Sequence, residues 1–234
     1  MDLFNAFLDL IFPPRCLVCG KAGSDPFCSN CRHQIQFIDK YCRICGKPME
    51  KSRVCEDCRN CRPVFDIARS VAIYDTTIKE ALHKFKFQNK MSLGDDLTGI
   101  LIEYFKSGPD IDLSSVDSVT AVPLHQKRQR ERGFNQSEFL AEKFARHYGL
   151  NFRNDILVKI KDTKPQFSLK RNVRFKNVSG AFEASPKDAI AGRRVLLVDD
   201  IFTTGATICE CAKALKSAGA ESVYVITLCR AVDD

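Results

Sequence analysis

No stretch of the 234-residue chain stays apolar for the length a membrane-spanning helix requires. The apolar start, LFNAFLDLIF, has no basic segment before it and is preceded and interrupted by Asp2 and Asp9, so it does not read as an export signal. The expected compartment is the cytoplasm. Leu3 to Phe12 fits a short amphipathic helix ended by Pro13-Pro14, which packs on the body rather than entering a bilayer because acids break its apolar face. Large apolar residues are scarce between Cys16 and Cys61, too scarce for that region to hold a core alone. It has cysteine instead, nine of the chain's twelve. Without an export signal, paired cysteines favour metal over disulfide.

The cysteines form four Cys-x2-Cys pairs: Cys16/Cys19, Cys28/Cys31, Cys42/Cys45 and Cys55/Cys58. Two are followed by glycine, in CLVCG and CRICG, which lets backbone N–H groups turn toward the sulfurs. Zn–S bonds of about 2.3 Å require the pairs to be brought together by tight turns, and each set of four suits one tetrahedral zinc. The pairs repeat as two similar units of about 26 residues. A double zinc ribbon is predicted, with two structural zinc ions whose binding supplies the module's folding energy. One choice stays open. Cys55, Cys58 and Cys61 form C-x2-C-x2-C, and any two could serve. Cys209, Cys211 and Cys229 read as plain buried thiols.

The net charge of +7 points to anionic ligands, phosphates or nucleic acid, without choosing between them. Beyond Pro63 the paired cysteines stop and strand and helix patterns begin. The expected division is residues 1–62, an N-terminal helix with the ribbon, and residues 63–234, an α/β domain. Strands are expected over Ile67 to Tyr74, Val116 to Pro123 and Ile156 to Ile160. Helices are expected over Thr77 to Phe87 and Leu93 to Phe105, the second broken by Gly108-Pro109.

The segment VPLHQKRQRERGFNQSE crowds His125, Lys127, Arg128, Arg130 and Arg132 into a loop. Asn135 with Glu138 then makes a capping box for a helix ended by Gly149. A basic loop leaving the C-terminal end of a strand lies beside the ligand crevice of an open α/β sheet, where pyrophosphate is the natural occupant. A merely solvated charge run is the alternative. The polar stretch KDTKPQFSLKRNVRFKNVSGAF has little regular period and the length of a lid loop, or of a disordered insert.

The chain is organised around Val195 to Thr207, VLLVDDIFTTGAT. Val195 to Val198 fits a strand buried on both faces of a parallel sheet. Two carboxylates, Asp199 and Asp200, come next, then Thr203, Thr204, Gly205, Ala206 and Thr207. A helix begins there, with Ile208, Ala212 and Leu215 on one face and Gly219 at its end. Free N–H groups at a helix start hold a phosphate, and Gly205 permits close approach of the backbone. The acids can accept hydrogen bonds from ribose hydroxyls or help hold a metal. This is the pattern of a sugar-phosphate site.

VLLVDDIFTTGAT resembles the phosphoribosyl-pyrophosphate (PRPP) motif of type I phosphoribosyltransferases. That resemblance implies that Asp199 and Asp200 bind the ribose 2′ and 3′ hydroxyls while Thr203 to Thr207 cradle the 5′-phosphate. The paired CxxC units, HKFKF, VPLH…RGFNQSE and DTKPQ…L…R…N…GAF extend the likeness, in order and spacing, along essentially the whole chain. In that arrangement the chain resembles the ComF competence-protein family. The chain departs from the family at Asn89, where glycine usually follows HKFKF, and at the extra Cys61.

The resemblance implies an α/β, type I phosphoribosyltransferase-like fold, a mostly parallel sheet flanked by helices, with a small N-terminal zinc-ribbon module. It implies a role in DNA uptake during natural transformation. Arg128 and Arg132 would line the pyrophosphate loop, with Arg174 and Asn177 in the flexible loop. The candidate catalytic set is then Asp199, Asp200, Arg128, Arg132 and Arg174. PRPP, accompanied by Mg2+, would also meet the 203–207 loop, His125 and Asn177. Three activities are open: transfer of phosphoribose to an unidentified acceptor, PRPP binding by a non-catalytic adaptor of the transformation machinery, or direct binding of single-stranded DNA. In the last, Phe27, Phe37 and Tyr41 would stack on bases rather than pack the ribbon. Acids dilute the basic residues of the ribbon, so weak, salt-sensitive DNA affinity and protein partners are expected.

Overall fold

The computed structural model describes residues 13–108, 110–164 and 171–232. The helix expected over Leu3 to Phe12, and Pro109, lie outside them. Two short helices, α1 (Ser29–His33) and α2 (Glu56–Asn60), close the two cysteine units. The order then runs β1 (Ile67–Ile73), α3 (Thr76–Phe87), α4 (Met91–Lys106), β2 (Ser118–Ala121), α5 (Gln126–Arg132) and α6 (Gln136–Tyr148). It continues with β3 (Leu157–Lys159), α7 (Arg171–Val178), β4 (Phe182–Ala184), β5 (Arg194–Phe202), α8 (Ala206–Ser217) and β6 (Ser222–Arg230).

Four strands make one sheet in the order β1-β6-β5-β2, every pair parallel, and β3 with β4 forms a small antiparallel ribbon. The uninterrupted apolar run of β5 follows from its central place. Leu196 and Val198 enter a core shared with α3, α4 and α6, while Val195 and Leu197 enter a second core shared with α8. The strand is longer than its apolar run suggests. Its pairing with β6 continues through Asp199 to Phe202, which lies opposite Arg230. Backbone pairing with a long neighbour therefore carries two carboxylates and the residues after them into the sheet.

Three local expectations are corrected. The basic segment after β2 is a helix, α5, rather than a loop: His125 is its N-cap and Gly133, at φ 84°, ends it. None of its residues is buried, so no apolar stripe announced it. Asn135 caps α6 by accepting from the Ser137 N–H at 3.1 Å, but the capping box does not close. Glu138 accepts instead from Asn154 Nδ2 at 3.0 Å. The polar stretch before β5 also holds regular structure, α7 and β4.

The cysteine units are built onto the exposed edge of β1. Ile38 N–H donates to Val71 O (2.9 Å), Ile73 N–H to Gln36 O (2.8 Å) and Ala68 N–H to Ile44 O (2.7 Å). Cys16, Phe27 and Cys31 join the core on one face of the sheet, and Cys42, Cys45, Cys55 and Cys58 join the core on the other. The module thus straddles the sheet edge. Phe27 is buried as expected of a packing residue, whereas Phe37 is exposed.

Candidate functional site

Eight cysteines gather into two groups, Cys16/Cys19/Cys28/Cys31 and Cys42/Cys45/Cys55/Cys58, with the sulfurs of each group within 4.8 Å of one another. The pairs Cys16–Cys31, Cys19–Cys28 and Cys45–Cys55 each stand 3.8 Å apart, Sγ to Sγ. Tetrahedral coordination at Zn–S of 2.3 Å requires an edge of about 3.8 Å, so the donors fit zinc. Backbone N–H groups support the sulfurs: Val18 and Cys28 donate to Cys16 Sγ at 3.4 and 3.5 Å, and Cys55 to Cys42 Sγ at 3.3 Å. Gly20 and Gly46 take φ of 73° and 71°, as a knuckle turn needs. Cys61 is exposed and belongs to neither group, whereas Cys55 and Cys58 both lie in the second.

At the C-terminal end of the sheet, β5 delivers Asp199 and Asp200 to one place. Ser137 Oγ, at the start of α6, donates to Asp199 Oδ1 at 2.8 Å, and the Asp200 N–H donates to the same oxygen at 2.9 Å. Burial, then the charge of Asp200, pushes the Asp199 carboxyl up to about 7. Asp200 is buried and ion-paired with Lys86 at the end of α3.

The turn after β5 fits a phosphate cradle. Gly205 sits at φ 79° as the N-cap of α8, and a Cβ there would lie 2.7 Å from the Phe202 ring. The Thr204 hydroxyl oxygen accepts from the Ala206 N–H at 3.4 Å. The first bond inside the helix runs from Cys209 N–H to Gly205 O (2.8 Å). The start of α8 thus presents the positive end of the helix to this turn, a place that suits an anion.

Cations surround this end of the sheet. Arg132, on α5, lies over the Phe87 ring at 5.0 Å and donates to Gln136 Oε1. Burial lowers the Arg132 pKa, the Asp200 charge opposes that shift, and Arg128 adds to it. Lys159, on β3, is lowered by burial and then by Arg128, while Asp199 pulls the other way. Two lysines that sequence reasoning missed join these candidates: Lys86 through its ion pair with Asp200, and Lys159 on β3, whose charge is opposed by that of Arg128. Lys86 was hidden in an amphipathic helix. Lys159 did leave a trace, as a lysine inside the apolar run ILVKI.

The remaining candidates lie around the segment that follows β3 and around α7. His125 Nδ1 is 3.9 Å from Asp162 Oδ1, and Lys127 Nζ is 3.8 Å from Asp162 Oδ2. Arg128 Nη2 donates to Thr163 O at 3.4 Å. Asn177, on α7 with Arg174, clasps the Lys164 backbone: its Nδ2 donates to Lys164 O (2.9 Å) and its Oδ1 accepts from Lys164 N–H (3.2 Å).

Family comparisons agree with both parts. The double zinc ribbon domain matches residues 7–59, and the phosphoribosyl transferase domain matches residues 135–234. Competence protein F of Haemophilus influenzae is 30% identical over 93% of this chain and 97% of its own length. The chain belongs to the ComF competence-protein family. Within it, competence protein ComFC of Bacillus subtilis is 31% identical over 87% of this chain and 83% of its own. DNA utilization protein YhgH of Escherichia coli is 29% identical over 94% and 99%. Among solved structures, adenine phosphoribosyltransferase from Thermoanaerobacter pseudethanolicus is 18% identical, with a TM-score of 0.37 over 72% of this chain and 92% of that one. The two family matches give the ComF chain a phosphoribosyltransferase-like domain with a zinc-ribbon module. Among the described residues, no helix is long and apolar enough to cross a membrane.

Proposed function

We propose that this ComF protein binds PRPP and transfers its phosphoribosyl group to a nucleophilic acceptor, releasing pyrophosphate, in support of DNA uptake or use. The single observation that carries this reading is the convergence at the end of β5 of an acid pair, a glycine-capped helix start and a group of cations. Asp199 and Asp200 accept hydrogen bonds from the ribose 2′ and 3′ hydroxyls, and the 203–207 loop receives the 5′-phosphate. Arg128, Arg132 and Lys159 face the pyrophosphate, with Arg174 contributing from α7 and His125 from the start of α5. Mg2+ bound together with PRPP would supply charge neutralisation on the leaving group.

In the transfer, the bond from ribose C1 to pyrophosphate oxygen breaks with its electron pair leaving on oxygen. The acceptor's lone pair forms the new bond to C1, and the acceptor's proton passes to solvent or to an ionised carboxylate. Positioning and fixed charge do most of the work, since positive charge develops on the ribose and negative charge on the departing group. Keeping water out of the site would protect the activated sugar from hydrolysis.

The reading includes a cytoplasmic location and a division into a metal module (1–62) and a sugar-phosphate domain (63–234). The names of the relatives, competence protein F and DNA utilization protein YhgH, support the link to competence and DNA utilization. The test is pyrophosphate release from PRPP and Mg2+ against a panel of nucleobases and amines. Release that depends on an acceptor and is lost in Asp199→Ala/Asp200→Ala supports the transferase. PRPP binding without release from any acceptor assigns the protein as a PRPP-dependent adaptor instead.

A further inference from the structure

Arg230, the last residue of β6, is a buried arginine that the proposed chemistry does not use. Its Nη1 donates to the Cys45 carbonyl at 2.7 Å, and its Nη2 points to Cys45 Sγ at 3.9 Å. Its guanidinium carbon lies 3.9 Å from the centre of the Phe202 ring. Phe202 is buried in turn, with Phe65 packed edge-on at 6.1 Å, and its ring fills the space beneath Gly205. One side chain therefore touches a candidate zinc ligand on one side and, on the other, the ring that supports the phosphate loop.

The chemistry of the group explains why an arginine stands there. One Zn2+ with four thiolates carries a net charge of about −2, which is costly to bury without a nearby cation. All four cysteines of this group are buried, unlike Cys19 and Cys28 of the other. A guanidinium offers both requirements at once: N–H donors in the plane for the sulfur and carbonyl, and a flat face for the ring. A lysine brings charge and donors but no flat face to lie on the ring.

We propose that Arg230 is a positioning residue that couples occupancy of the Cys42/Cys45/Cys55/Cys58 zinc site to the shape of the 203–207 phosphate loop. Thiolates charged by the metal hold the guanidinium, the guanidinium holds Phe202, and Phe202 fixes the backbone at Gly205. Coupling of this kind is reciprocal: an anion seated in the loop strengthens retention of zinc at the buried site. The proposal rests on the sugar-phosphate reading of that loop.

The test follows release of zinc from the full-length protein into a chromogenic chelator, with and without PRPP and Mg2+. Cys19→Ser identifies the phase that belongs to the other cysteine group. In the wild type, PRPP slows release from the buried group alone. In Arg230→Met that protection disappears, and PRPP affinity by calorimetry falls about tenfold, within the usual range of coupling between two sites. Arg230→Lys keeps two zinc ions but shows the same loss of protection, because it lacks the planar face. Equal protection in wild type and Arg230→Met overturns the proposal. Should Arg230→Met fail to fold, Phe202→Leu leaves Arg230 and the sulfurs in place and is expected to lose protection as well; full protection there also overturns it. A wild type that does not bind PRPP defeats the sugar-phosphate reading instead. The coupling is then decided by whether Phe202→Leu speeds zinc release from the buried group alone, and unchanged release refutes it.

Discussion

Lys86, near the end of α3, forms an ion pair with Asp200, near the end of β5, and both side chains are largely withdrawn from water. Helix α3 and the end of β5 are thus joined by charge. Removing one partner strands the other. Lys86→Met is expected to destabilise the fold by about 3 kcal/mol, the low end for an uncompensated buried charge because some solvent reaches both groups. Adding Asp200→Asn is expected to recover most of the loss. Denaturant midpoints of the single and double variants check this, and an unchanged midpoint in Lys86→Met refutes the pairing.

Asp199 gives the site a pH dependence with a definite sign. Burial, then Asp200, raises its carboxyl to about 7 in the folded chain, against about 3.9 when unfolded. Between those values the folded state keeps a proton that the unfolded state has released. The contribution of Asp199 to stability is therefore largest near about pH 4 and declines as pH rises to about 7. PRPP affinity runs the other way, rising through about pH 7, because the ionised carboxylate is the form that accepts ribose hydroxyls. Titration calorimetry across that range tests it, and Asp199→Asn is expected to flatten the curve.

Gly205 tolerates no side chain. Its left-handed backbone costs about 1–2 kcal/mol for an L residue, and a Cβ would also displace the Phe202 ring. Gly205→Ala is expected to lower stability by at least that amount and to weaken PRPP binding. Thermal melts with and without PRPP separate the two effects.

Metal analysis distinguishes the third cysteine of the C-x2-C-x2-C run. Cys61→Ser is expected to retain two zinc ions per chain, and Cys58→Ser to lose one, because only Cys58 lies within reach of Cys42, Cys45 and Cys55. Loss of zinc in Cys61→Ser counts against the assignment.

Direct contact with DNA is expected to be weak and independent of sequence, falling steeply with salt as counterions are released. Tight binding of single-stranded DNA that persists at physiological salt contradicts this expectation and favours a ribbon that reads DNA itself.

What the chain disclosed in advance followed from periodicity and spacing. The run of β5, the amphipathic face of α8 and the paired cysteines are local patterns, and they survive folding unchanged. Asn89, singled out because glycine is usual there, adopts φ 51°, a left-handed position that asparagine tolerates. Helix α5 was illegible because QKRQRER has no apolar face, and its helix rests on the His125 and Gly133 caps. Lys86 was illegible because its partner is remote in the chain, and the trace that Lys159 left in ILVKI gains a meaning only once burial and neighbouring charges are known. The failed capping box has the same origin: Asn154 reaches Glu138 across the fold and takes its carboxylate.

The cysteine module's seat on β1 has one more consequence. Its three backbone bonds occupy polar groups that would otherwise line an open border of a seven-residue, mostly buried apolar strand. An unpaired border of that kind is a template for a second chain. Metal starvation would therefore do more than unravel a small module: it would leave the molecule sticky, liable to join its copies strand to strand. Light scattering during chelation is the place to look, with clumping keeping pace with the loss of zinc. In a cell, the metal would then act as a guard on solubility as much as a strut.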